Sequence, residues 1–153
     1  MIVSFNNADR TFKFKNKTAL KAFIKKMFHE EHKESERISY IFCSNDYLLA
    51  LNREYLGHDY NTDIITFDLS NDHKTIGEIY ISLDQVELNS QALGTDLKDE
   101  TLRVIFHGVL HLCGYKDKKK SHLKEMRSKE DFYLSGFSDY LKTVSRETKS
   151  EKK

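Results

Sequence analysis

The sequence predicts a single α+β domain, a mixed sheet of about four strands covered by helices. Three observations carry that expectation. Short runs of alternating apolar residues are interleaved with helical periodicity in the first half, whereas helical patterns dominate after residue 83. The chain has 153 residues with 39% apolar and 12% aromatic side chains, enough for one real core and inconsistent with disorder. Proline is absent, and no repeat, linker or low-complexity stretch marks a second unit. Residues 1–142 are therefore read as one domain and 143–153 as a charged tail that frays.

The elements follow in order. Ile2 to Phe5 alternates and reads as a strand, and Thr11–Lys15 is a second short alternating run. Thr18 is placed to cap a helix over Ala19–Glu31, whose Leu20, Phe23, Ile24, Met27 and Phe28 share one face. Arg37–Ser44 reads as a strand, followed by a helix capped by Asn45 or Asp46 that carries Leu48, Leu49, Leu51, Asn52 and Tyr55. Asp63–Leu69 is rich in Ile, Thr and Phe, and Ser70–His73 is a turn into the strand Thr75–Ser82. A short helix over Asp84–Leu93 ends at Gly94. The next helix opens at Asp96 or Lys98 and runs to about Cys113, a further one spans Ser121–Ser135, and a last one follows Gly136.

Charge and cysteine use narrow the class. Net charge is only +1, but residues 1–29 hold seven basic and one acidic side chain, 30–100 hold five and sixteen, and 101–153 hold thirteen and seven. Two basic ends thus flank an acidic middle, and if they meet in space they form a surface suited to phosphates. Two distant cysteines, Cys43 and Cys113, make no disulfide framework and read as small buried thiols of a reducing compartment. The first residues lack a basic-then-apolar leader, and no run approaches the ~20 apolar residues of a membrane span. A cytoplasmic protein is expected.

The most informative stretch is His107-Gly-Val-Leu-His111, followed by Gly114 and Asp117. Histidines four apart project from one helical face, about 40° apart, so their imidazoles can share one divalent cation. Gly114 can take a left-handed conformation, end the helix and let Asp117 return toward the same point. His-His-Asp leaves a coordination position for water, the catalytic rather than the structural arrangement. Cys113 lies about 120° round the helix from His107 and should face away. A cation on His107, His111 and Asp117 would supply hydroxide near neutral pH or polarise a phosphoryl or carbonyl oxygen, and both point to hydrolysis. The spacing also fits the long zinc-peptidase motif, but that motif needs a glutamate directly after the first histidine. Gly108 stands there, and a glycine lets another element or a substrate come close.

The run His107-Gly108-Val109-Leu110-His111-Leu112-Cys113-Gly114-Tyr115 resembles the signature of the YbeY family, bacterial metal-dependent endoribonucleases of ribosomal RNA maturation. Leu51-Asn52-x-x-Tyr55, Asp59 and Thr62-Asp63-Ile64-Ile65-Thr66-Phe67 are similar to a second block of that family, and Gly77–Ile81 to the strand that follows it. The resemblance covers about residues 38–135. It implies cleavage of single-stranded RNA, processing of the 3′ end of small-subunit (16S) ribosomal RNA, ribosome quality control and zinc as the usual metal. It also implies ribosomal RNA and the small ribosomal subunit as partners, with no membrane or DNA.

Two departures stand out. Where the family pattern ends Gly-Tyr-Asp-His, this chain has Gly114-Tyr115-Lys116-Asp117, so Asp117 replaces the third histidine, with His122 as its rival. A carboxylate ligand would widen the choice of metal toward manganese or magnesium. At Leu56 the family commonly carries an arginine, and His58, Arg53 or Lys116 are candidates to supply the cation that holds a phosphate. No catalytic residue is assigned beyond the metal-bound water. Basic residues from Arg10–Lys26 and Lys116–Arg127 are expected to hold the RNA backbone; exposed tyrosines such as Tyr60 or Tyr115 are candidates to stack on bases, with core or surface packing the favoured reading for any one of them. The other readings are a non-catalytic ribosome assembly factor with a structural metal and, further off, a zinc peptidase.

Overall fold

Apolar residues at alternate positions of the strands supply the face on which the helices pack. A computed structural model describes the backbone of residues 1–151 and the side chains of residues 1–146. Its strands are β1 (Ile2–Asn7), β2 (Ser35–Cys43), β3 (Ile64–Asp68) and β4 (Thr75–Ser82), in the order β1-β2-β4-β3. β1 pairs with β2 and β2 with β4 in parallel, whereas β3 and β4 are antiparallel, so the sheet is mixed as expected. The β3–β4 reversal is tight because Asn71 Oδ1 accepts from the backbone N–H of His73 and Lys74.

The helices are α1 (Lys17–Glu30), α2 (Asn45–Leu51), α3 (Leu83–Leu93), α4 (Leu97–Leu112) and α5 (Lys120–Glu151). A π-helical turn, Asn52–Leu56, prolongs α2 and ends at Gly57, whose φ of +65° suits glycine. Ile38, Tyr40, Phe42, Ile79 and Ile81 project from one sheet face into the main core. There they meet the five apolar residues of α1 and Ile105, Phe106, Val109 and Leu110 of α4. Fully burying each such side chain contributes about 1.5–3 kcal/mol. Tyr40 enters this core because its hydroxyl donates to the Ile105 carbonyl at 2.9 Å. A smaller cluster of Cys43, Leu48 and Ile65, supported by Phe67 and Tyr80, lies on the other face under α2.

Several local expectations give way. Thr11–Lys15 is not a strand: Phe12 is buried and stacks on Phe42 and Phe14, so the alternation reflects a loop tucking its rings into the core. Thr18 does not cap α1, which begins earlier with Asn16 at its N-cap. Ser44, rather than Asn45 or Asp46, caps α2 by accepting from the Tyr47 N–H. Asp9 in turn accepts from both the N–H and the hydroxyl of Ser44, fixing that start. Gly136 breaks nothing, and α5 runs through it as one helix. Tyr133 and Phe137 anchor the helix on both sides of the glycine in the aromatic cluster around Phe23. The expected frayed tail over 143–153 falls in part on residues 147–153, outside the described side chains.

Candidate metal centre

α4 delivers the two histidines. Asp96 caps it by accepting from the Asp99 N–H, and its apolar face seats it on the sheet. Gly108 makes the close approach possible, because a Cβ there would lie 2.9 and 3.0 Å from Ile79 Cδ1 and Cγ2 and 3.3 Å from Ile64 Cδ1. Of the two expected reasons for this glycine, the approach of another element holds: the element is the sheet. At the exit Gly114 takes φ +101°, its N–H donates to the His111 carbonyl, and the Tyr115 N–H reaches back to Leu110. That closure turns the chain so that Asp117 faces the histidines.

The three side chains converge. Asp117 Oδ2 lies 3.2 Å from His107 Nε2 and 3.1 Å from His111 Nε2, and one ligand atom from each residue falls within 4.8 Å of the others. The other nitrogen of each ring is engaged: His107 Nδ1 is 2.7 Å from Glu130 Oε2, and His111 Nδ1 is 3.0 Å from the Tyr115 carbonyl oxygen. Both outer partners are acceptors, so each Nδ1 carries a proton when the ring is neutral and each Nε2 presents a lone pair. With neutral rings, two lone pairs face a carboxylate oxygen, an arrangement that suits a cation placed among the three. The donor set therefore fits one divalent cation, and the group could hold a metal ion.

Surrounding charges tune the cluster. Burial alone would raise the Glu130 carboxyl, but hydrogen bonds from His107 and Arg103 outweigh it and hold Glu130 below its ordinary value. Burial disfavours the His107 imidazolium, yet the bond to Glu130 and the charges of Glu130, Asp117 and Asp63 raise its pKa. Asp117 is lowered, its burial being offset by His111 and His107. Asp63, on the rim of the same cleft, is raised mainly by burial.

The cleft occupies about 700 Å³ and holds His58, Tyr60, Asp63, Arg103, Lys118 and Arg127 beside the His-His-Asp cluster. Among the candidate phosphate ligands only His58 borders it. Arg53 is ion-paired with Asp59 and is not part of the wall. Lys116 opens into a separate hollow with His122, Glu31 and Cys113. His122 thus lies away from the cluster, and Cys113 faces away from His107, His111 and Asp117, in keeping with its helical angle. Tyr115 also leaves the cleft, its hydroxyl donating to Glu31 at 2.7 Å.

The N-terminal and C-terminal segments pack together, Phe14 and Phe23 against Phe137, but the basic residues of the N-terminal segment do not line this cleft. Arg10, Lys13 and Lys15 line a different hollow, where Arg10 pairs with Asp84. The arginines and lysine that line the cleft of the His-His-Asp cluster, Arg103, Lys118 and Arg127, all come from the C-terminal third. Glu130 and Arg103 are the site residues that sequence reasoning passed over. A signal existed for Arg103, which stands four residues before His107 on the stripe that also carries His111. Glu130 comes from another helix and leaves no such trace.

Fold and cluster together define an α+β domain that carries a His-His-Asp site on a helix and its exit turn. The Endoribonuclease YbeY family model matches residues 4–138, and the chain belongs to that family. Among its relatives, the Endoribonuclease YbeY of Cytophaga hutchinsonii is 42% identical over 134 residues, 87% of this chain and 94% of the relative. That of Parabacteroides distasonis is 44% identical over 119 residues, 78% of this chain and 84% of the relative. A solution structure from Thermotoga maritima superposes with a TM-score of 0.61 at 26% identity, covering 94% of this chain and 93% of the other. No helix among the described residues is long and apolar enough to cross a membrane.

Proposed function

We propose that this chain is a metal-dependent endoribonuclease that cleaves single-stranded RNA, with the 3′ end of small-subunit ribosomal RNA in the cytoplasm as its target and ribosome quality control as its setting. The observation that carries the reading is the convergence of His107 Nε2, His111 Nε2 and Asp117 in an open cleft of a chain belonging to this family. The three residues would hold one divalent cation, zinc first, with manganese or magnesium admitted by the carboxylate. When bound, that cation supplies Lewis acidity at a phosphate and lowers the pKa of water.

The chain's own residues do the rest. Glu130 accepts the His107 Nδ1 proton and keeps Nε2 turned to the cluster. Arg103 in turn holds Glu130, donating from Nη1 at 2.9 Å. Arg127 and Lys118 present positive charge along the cleft for phosphate oxygens. Asp63 lines the same cleft and adds a carboxylate to its wall. The peptidase reading loses support, because the position that would need a glutamate is Gly108, packed against Ile79.

The test is incubation of a single-stranded RNA with the purified chain and added zinc or manganese. Metal-dependent endonucleolytic fragments that vanish in His111→Ala support the reading. Intact RNA with the wild type, indistinguishable from His111→Ala, would leave the assembly-factor reading in its place.

A further inference from the structure

The wall of the cleft includes an exposed pair of aromatic rings that is tied into place by hydrogen bonds. Tyr60 is 57% exposed, and isolated surface tyrosines usually need no explanation. This one stacks on His58 with ring centroids 5.2 Å apart and planes 18° from parallel, and its hydroxyl lies 3.0 Å from His58 Nδ1. The loop beneath is tied at both ends to one buried residue. Asn52 Nδ2 donates to the Tyr60 carbonyl at 2.9 Å, and the His58 N–H donates to the Asn52 carbonyl at 3.1 Å. Gly57 turns the chain out of the π-helical turn, and the Arg53–Asp59 ion pair braces the outside.

Both rings border the cleft that contains the metal cluster. Arg127 lines the same cleft, with Nη1 3.5 Å from Glu130 and more than half of its side chain exposed, and so does Lys118. A braced aromatic surface that shares a groove with cations suits an unpaired base with its phosphate, because every base has a face to stack and its backbone carries the charge. A base kept within a duplex already stacks on its neighbours and has no free face to offer.

We propose that Tyr60, backed by His58, is a base-stacking platform that receives one unpaired nucleotide beside the reacting phosphate. This rests on the ribonuclease reading and adds to it the specificity-determining residue. His58 then acts as the stacked support of Tyr60 rather than as a phosphate ligand. Because stacking a base on an aromatic ring strengthens binding without touching the reacting atoms, its loss falls on KM and leaves kcat nearly unchanged.

The experiment compares the metal-loaded wild type, Tyr60→Ala and Tyr60→Phe on a single-stranded RNA oligonucleotide, and on a set in which each position in turn is made abasic. Tyr60→Ala should raise KM between about fivefold and a hundredfold, and Tyr60→Phe should stay within about twofold of wild type. At one abasic position the wild type should fall to the level of Tyr60→Ala, and the two should become indistinguishable. An unchanged KM in Tyr60→Ala, or a defect that persists at every abasic position, overturns the platform while leaving the ribonuclease intact. A wild type that neither binds nor cleaves the oligonucleotide overturns the ribonuclease reading and the platform together.

Discussion

His107 Nδ1 lies 2.7 Å from the buried carboxylate of Glu130, which Arg103 holds from its other oxygen. The link runs from α5 to the last turns of α4 and fixes which nitrogen of His107 faces Asp117. Removing such an outer partner typically weakens metal binding about 10- to 100-fold. Glu130→Gln should therefore lose that much affinity for zinc, measured by competition with a chromogenic chelator, while its circular dichroism stays native. Unchanged affinity would mean that His107 needs no orienting partner.

The same carboxylate predicts a pH dependence of stability. Glu130 is lowered below its ordinary 4.5, because the hydrogen bonds from His107 and Arg103 exceed the opposing effect of burial. A carboxylate with a depressed folded-state pKa contributes stability above its unfolded value and loses it as pH falls through the folded one. In urea titrations with chelator present, wild type should exceed Glu130→Gln at neutral pH. The gap should close as pH falls below 4.5, and a constant gap would show that charge is not its source.

Asp117 and His122 make opposite predictions as third ligand. Asp117 Oδ2 is within 3.2 Å of both histidine nitrogens, whereas His122 opens into the hollow of Glu31 and Cys113. Elemental analysis should find the metal lost from Asp117→Ala and kept in His122→Ala. Retention in both would assign the third position to a group outside this cluster.

Much of this site was legible because its geometry is local. The four-residue spacing of His107 and His111, the glycine that closes α4 and the carboxylate three residues beyond it all act within one turn and its exit. Glu130 was not legible, since nothing in a run of charged residues on α5 says which one faces α4. Local chemistry also misled where tertiary packing decides. Gly136 has the composition of a break, yet Phe23 sits only 3.5 Å from where its Cβ would be, and α5 continues across it. The alternation of Phe12 and Phe14 looked like a strand because a loop that buries one ring and stacks the next has the same period.

Neither cysteine should behave as a reactive thiol. Burial pushes both Cys43 and Cys113 up to about 12, with nearby carboxylates adding to it. At pH 8 the thiolate fraction is then on the order of one in ten thousand, against about a quarter for a free cysteine. Disulfide-exchange reagents should label no cysteine in the native chain and both in denaturant. Rapid native labelling of Cys113 would show that the hollow beside Tyr115 admits a negatively charged thiolate.

Gly108 is expected to tolerate no side chain, for a reason separate from catalysis. A methyl group there would come within 3.0 Å of both Ile79 Cδ1 and Cγ2. Cδ1 ends a flexible chain and can swing aside, but Cγ2 is fixed at the branch, so the helix or the strand must shift. Overpacking of this kind costs about 1–3 kcal/mol. Alanine favours a helix over glycine by about 1 kcal/mol and offsets part of this, so Gly108→Ala should lose up to about 2 kcal/mol of stability in urea. Ile79→Val removes Cδ1 and keeps the branch, so it should recover only part of the loss in a double-mutant cycle. Full recovery would place the conflict at Cδ1 alone, and a gain of about 1 kcal/mol in Gly108→Ala, the helix preference by itself, would mean that α4 is free to ride away from the sheet, carrying His107 and His111 with it.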